Sequence, residues 1–278
     1  MMSDRPTLTI AYSTLPSRLN SITYPENRDD REVLVLVQNS EESSYAFTER
    51  SAKLVELKNR GVAKSRNAAL DRASGEFLLF GDDDMKFIES GIDQALEYFR
   101  NNPDCSIILG QAVDQDGALR KNYESARTPL KLTNSARAAT YEMLVRVDAL
   151  RDKQIRFDEN FGAGAVNYLG DEYILIADAL RAGLKGVHLP VKIGSIPKIA
   201  LAQDGVVKRI YQLEQRFLQE SLVGGPRFIG RHFSFARIIH GPALVKRSVS
   251  YLHDENLRPS RLQLQISRSN SSCLQSGD

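Results

Sequence analysis

The run Phe77-Leu78-Leu79-Phe80 constrains the fold more than any other stretch, because a helical pattern precedes it and three aspartates follow it. Val62, Ala69, Leu70 and Ala73 share one face at helical spacing, and Ser74-Gly75 ends that helix. An uninterrupted apolar strand after a helix predicts a strand covered on both sides, as in a parallel α/β sheet. Asp82, Asp83 and Asp84 then stand just beyond its carboxyl end, where such sheets bind ligands. Two readings of the triplet remain open. Adjacent carboxylates repel, and Asp82 and Asp84 are placed to hold a divalent metal and a sugar hydroxyl from one turn. Alternatively, the acids open the next helix, whose N-terminus favours negative charge.

The chain has 278 residues, enough for one large domain with or without an appendage. Its net charge of +2 argues against nucleic acid as a partner. The charge is uneven: from Gly205 onward there are 11 Lys and Arg against 5 Asp and Glu, a local +6 against −4 for the remainder. Cys105 and Cys273 support neither a disulfide framework nor a thiolate metal site. The first residues lack an apolar signal core, and no run approaches the roughly 18 apolar residues of a membrane span. A cytoplasmic protein is the expectation.

In chain order, Thr7 to Ser13 predicts a first strand, with Thr14-Leu-Pro-Ser-Arg18 as its loop, and Glu32 to Ser40 a second buried strand. Ile92, Ala95, Leu96 and Phe99 mark an amphipathic helix ending near Pro103, and Ser106 to Gly110 reads as a strand. Asp114-Gln-Asp-Gly117 predicts a hairpin turn rather than a second metal motif. Thr140 to Val147 reads as a strand and Asp148 as a helix start, followed by Phe157-Asp-Glu-Asn-Phe-Gly-Ala-Gly164, with Phe157 and Phe161 as packing residues. The next helix starts after Gly170, closes at Gly183 and carries Asp171 and Glu172 in its first turn. Those two acids either do chemistry or stabilise the helix N-terminus. Leu184 to Pro190 is the last expected core strand.

The succession Gly61-Val-Ala, Arg66-Asn67, Ser74-Gly-Glu76, apolar strand and Asp82-Asp83-Asp84, with Phe157 to Gly164 and Asp171-Glu172 further on, resembles the family 2 glycosyltransferases with the GT-A fold, of the bacterial surface-polysaccharide type. The resemblance covers about Thr7 to Pro197. It implies a Rossmann-like mixed α/β sheet flanked by helices. It implies that Ser13, Thr14, Arg18, Asn39, Arg66, Asp82 and Asp83 bind the nucleotide sugar and that Asp84 with Asp82 holds Mn2+ or Mg2+. Glu172, with Asp171 as partner, would be the base that deprotonates the acceptor. Arg66 on its own would read as an exposed helical arginine. Three positions depart from the family pattern. Gln38 and Asn39 stand where an aspartate commonly accepts the uracil NH, the acid pair is reversed, and Ile196 stands where a metal-binding histidine is usual, with His188 inside the preceding strand.

The implied activity is transfer of a sugar, with inversion, from a nucleoside-diphosphate donor, a UDP-sugar by preference, to a glycan or lipid-linked acceptor. Nucleotidyl transfer is the alternative chemistry, although Ser13 to Leu19 has no glycine for a phosphate loop. A binding module of the same fold without activity is the other alternative. Residues 5–200 are the expected core domain, 201–257 a helical accessory segment and 258–278 a disordered polar tail. Between Pro226 and Arg247 aromatics alternate with basic residues. That pattern suits either a packed helix or one lying on the inner, anionic membrane surface.

Overall fold

The computed structural model describes residues 5–165, 167 and 170–197. The expected accessory segment, the tail and the membrane-facing stretch lie outside the described residues. Among the described residues, no helix is long and apolar enough to cross a membrane.

One sheet organises the structure. Its strands are β1 (Leu8–Thr14), β2 (Arg31–Gln38), β3 (Lys53–Leu57), β4 (Phe77–Asp82), β5 (Lys86–Phe87), β6 (Cys105–Val113), β7 (Thr128–Pro129), β8 (Met143–Arg146) and β9 (Lys185–Ser195). They lie in the order β3-β2-β1-β4-β8-β6-β9-β5, with β7 against β9. The first four of that order are mutually parallel, and β8 runs antiparallel between β4 and β6.

Helices α1 (Val62–Arg72), α3 (Val147–Asp152) and α4 (Asp171–Arg181) cover one face, and α2 (Glu89–Asn101) the other. Alternate residues of each central strand serve the two faces. Leu78 and Phe80 pack with Ala69, Leu70, Leu150 and Leu175, while Phe77 and Leu79 pack with Ile92, Leu96 and Phe99. This double burial is why these strands are apolar throughout. α2 lies against β9 so closely that a Cβ on Gly91 would stand 1.9 Å from the Lys192 carbonyl oxygen.

The mixed α/β sheet with flanking helices is the fold expected of GT-A proteins. Three local expectations change. β3 was not foreseen: it is an edge strand whose residues are exposed or half-buried, with only Val55 inside. The last strand does not stop at Pro190 but runs to Ser195, with its pairing to β6 irregular between Leu109 and Gln111, where a proline without an N–H can be accommodated. The stretch from Thr140 opens with a 3₁₀ turn, Thr140–Glu142, and becomes strand only at Met143. Asp114 to Gly117 does form a turn: Gly117 N donates to Asp114 O at 3.0 Å, and Val113 bridges Leu119 antiparallel.

Candidate active site

Because β1, β2 and β4 are parallel and in register, their carboxyl ends share one edge. Ser13 pairs with Leu36 on one side and with Asp82 on the other. Ser13 Oγ lies 2.7 Å from Ser65 Oγ of α1. The buried Thr14 hydroxyl donates to Asp83 Oδ2 at 2.7 Å. Arg18 Nη2 lies 2.5 Å from Asp83 Oδ1 and 3.4 Å from Asp84 Oδ2. Asp83 is thus turned inward and engaged with the β1 loop. Asp82 and Asp84 are the open acids of the triplet, their side chains 37% and 39% exposed. At the end of β2, Gln38 Oε1 accepts the Gly61 N–H at 2.9 Å and so fixes the start of α1. Asn39, in the left-handed region at φ 48°, donates to Glu42 at 3.2 Å.

Arg66 is the centre of the arrangement. It is buried, 6% exposed, and not the exposed helical arginine that its residue type alone suggests. Nη1 donates to Asp171 Oδ2 and lies 3.4 Å from Glu172 Oε1, and Nη2 is 3.8 Å from Asp82 Oδ1. Its guanidinium sits 5.7 Å over the Phe157 ring, which meets Phe80 edge-on at 5.3 Å between centroids. The acids at the end of β4 and at the start of α4, far apart in sequence, therefore meet at one cation.

The segment from Phe157 to Ala165 brings α4 to that place. Asn67, next to Arg66, clamps its beginning: Nδ2 donates to the Phe157 carbonyl and Oδ1 accepts the Phe157 N–H, both at 2.9 Å. Farther along, Ala163 O accepts the Val62 N–H at 2.9 Å. Gly162 has φ 89°, and a Cβ there would lie 2.7 Å from Val62 Cγ1 and 2.9 Å from Asp171 Cγ. Only glycine passes between α1 and Asp171 without displacing one of them.

Burial and crowding shape the charges. Loss of solvent around its place in the cleft, although the side chain is 37% exposed, pushes Asp82 up to about 6, with Arg66 opposing and Asp84 adding to the rise. Burial and the adjoining Glu172 push Asp171 up to about 7. Glu172 is held below its ordinary value: burial works against its charge, but Arg66 and the Thr140 hydroxyl outweigh it. Glu172 is also the more accessible of the pair, at 18% exposed against 3% for the Asp171 side chain.

Among the described residues, no three His, Cys, Asp or Glu side chains are grouped as a metal site. His188 is in β9 with Nε2 3.3 Å from Asn134 O, and Ile196 is buried with Met85 and Ala112. The open Asp82 and Asp84 carboxylates are hard oxygen donors, and they suit Mg2+ or Mn2+ if the remaining ligands come from a diphosphate and water. Asn67 stands in the Arg66-Asn67 pair that carries the family resemblance, but the sequence gives it no role. Thr140 gives no signal at all.

The mixed sheet with its flanking helices defines a protein of GT-A architecture. The family model described as Glycosyl transferase family 2 matches residues 10–165, and the chain belongs to that family. No curated protein matches it. Among solved structures, it is similar to residues 1–349 of TarS from S. aureus in complex with UDP, with 17% identity and a TM-score of 0.53 over 84% of this chain and 73% of that one. The same portion of TarS in complex with UDP-GlcNAc has 17% identity and a TM-score of 0.53 over 90% and 77%. A longer TarS structure has 18% identity and a TM-score of 0.54 over 90% of this chain and 46% of that one. At these identities the likeness concerns the fold.

Proposed function

We propose that this glycosyltransferase moves a sugar from a UDP-sugar, or another nucleoside-diphosphate sugar, to a hydroxyl of a glycan or lipid-linked acceptor, with inversion and with Mn2+ or Mg2+. The observation that carries the reading is the meeting of Asp82 with Asp171 and Glu172 at Arg66. The neighbours bound to UDP and UDP-GlcNAc support the choice of donor.

Ser13, Thr14, Arg18 and Asn39 line the edge assigned to the nucleotide, with Asp82 toward its ribose. Asp84, with Asp82, would hold the divalent cation, which supplies positive charge beside the diphosphate. Glu172, charged and accessible, takes the proton of the acceptor hydroxyl as its oxygen attacks the anomeric carbon. The bond from that carbon to the diphosphate oxygen breaks on the opposite side, and the electron pair leaves with the nucleoside diphosphate. Arg66 and Arg18 offset the charge that grows on the leaving group, an effect that acts mainly in the transition state. A single in-line displacement inverts the anomeric centre. Peripheral attachment to the inner membrane face through the basic C-terminal segment, and a role in surface-polysaccharide assembly, are part of the same proposal.

The test is release of nucleoside diphosphate from a panel of sugar donors, with manganese or with chelator. UDP release that chelator and Asp84→Ala both suppress is the expected result. No turnover of any donor, or an Asp84→Ala variant equal to wild type, overturns the proposal, and pyrophosphate as the product would assign nucleotidyl transfer instead.

A further inference from the structure

We propose that Thr140 is a positioning residue that orients the carboxylate of Glu172, an assignment that rests on the sugar-transfer reading above. The Thr140 side chain is buried, and its hydroxyl donates to Glu172 Oε1 at 2.6 Å. Arg66 Nη1 reaches the same oxygen at 3.4 Å. The terminal torsion of a glutamate is broad and sets no orientation by itself. Two donors from different elements, converging on one oxygen, restrict it. A threonine hydroxyl has a single proton to donate, so this one is committed to Glu172.

The turn that carries Thr140 is anchored by a charged network that the transfer chemistry leaves unused. Glu142 is buried, binds Lys121 Nζ at 2.7 Å and accepts a hydrogen bond from the Tyr123 hydroxyl. The Tyr123 oxygen accepts the Ala112 N–H of β6 at 3.0 Å, and Glu142 N donates to Ala139 O at 3.0 Å. Separating a buried carboxylate from its cation is strongly unfavourable, so the turn keeps one position. Glu142 thus accounts for a buried charge far from any proton transfer: it fixes the 3₁₀ turn, and the turn presents Thr140 to α4.

A hydroxyl that donates to a carboxylate favours its charged form. The other charged groups facing Glu172 are Arg66 of α1, Asp171 of its own helix and Asp82 at the end of β4. Thr140→Val keeps the shape and removes the donor. It should lower kcat roughly tenfold, the scale of one hydrogen bond to a charged group, and leave the donor KM within about twofold. The acid limb of kcat should move to higher pH, and Thr140→Ser should restore both kcat and the profile. A Thr140→Val enzyme with wild-type kcat and profile, or a loss that serine does not recover, overturns the assignment. Crystal structures decide it independently of turnover. The Glu172 carboxylate of Thr140→Val should be rotated from its wild-type position, and an unmoved carboxylate refutes the positioning role. A wild type that releases no nucleoside diphosphate refutes the sugar-transfer reading alone.

Discussion

Asp82 and Asp171 lie on two sides of one guanidinium: Arg66 Nη2 is 3.8 Å from Asp82 Oδ1 while Nη1 holds Asp171 Oδ2. The first acid ends β4 and the second begins α4, so the arginine ties that strand to that helix.

Arg66→Met leaves those carboxylates without their cation. Removing one member of a buried ion pair costs about 3–5 kcal/mol. Urea unfolding at about pH 8 should show a loss of that order. The loss should shrink near pH 5, because carboxyls without a cation bind protons there. Equal losses at both pH values would mean that Arg66 acts through its packing on Phe157.

Asp171 and Asp82 are pushed up to about 7 and about 6, chiefly by burial. An unfolded aspartate titrates near 4. The folded chain therefore binds more protons than the unfolded chain across that window, and the stability from these groups, full at acid pH, is lost as pH rises from about 4 to about 7. Asp171→Asn removes the larger part. The unfolding free energy of wild type minus that of Asp171→Asn should fall steadily between about pH 4.5 and pH 7.5, and a flat difference would contradict the raised value.

Glu172→Gln keeps an acceptor for Thr140 but cannot take a proton. A missing general base typically lowers turnover by about 10²–10⁴. Calorimetric titration should find UDP bound as tightly as by wild type, and a large loss of UDP affinity would place Glu172 in donor binding instead.

Gly162→Ala forces a side chain into the left-handed region at φ 89° and against Val62 and Asp171. We expect a loss of roughly 1–3 kcal/mol in denaturant unfolding, from strain and overpacking together. Turnover should fall with it, because the displaced neighbour is an acid of the site. Gly117→Ala, also at positive φ but with nothing within 4 Å, is the control and should leave turnover unchanged.

The central strands were legible because a strand buried on both faces has no polar register to hide it: Phe77 to Phe80 serves α2 with one set of side chains and α1 with the other. The acids at 82 and at 171 were legible by their positions at a strand end and a helix start. Edge strand β3 was not, because four of its five residues are exposed or only half buried and little apolar signal is needed there. The burial of Arg66 could not be read from α1, since it depends on acids that arrive from α4. Thr140 was invisible for the same reason: its partner lies 32 residues further along the chain.

β8 is hydrogen-bonded to β4 on one side and to β6 on the other, so the parallel strands and the β6–β9 half of the sheet are stitched into a continuous ladder. A hinge between β4 and β6 would have to break that ladder. In the transfer proposed above, closing over a substrate is left to the connections at the rim, such as the Arg18 loop and the glycine-rich passage from Phe161 to Ala165, because the ladder beneath them is unbroken.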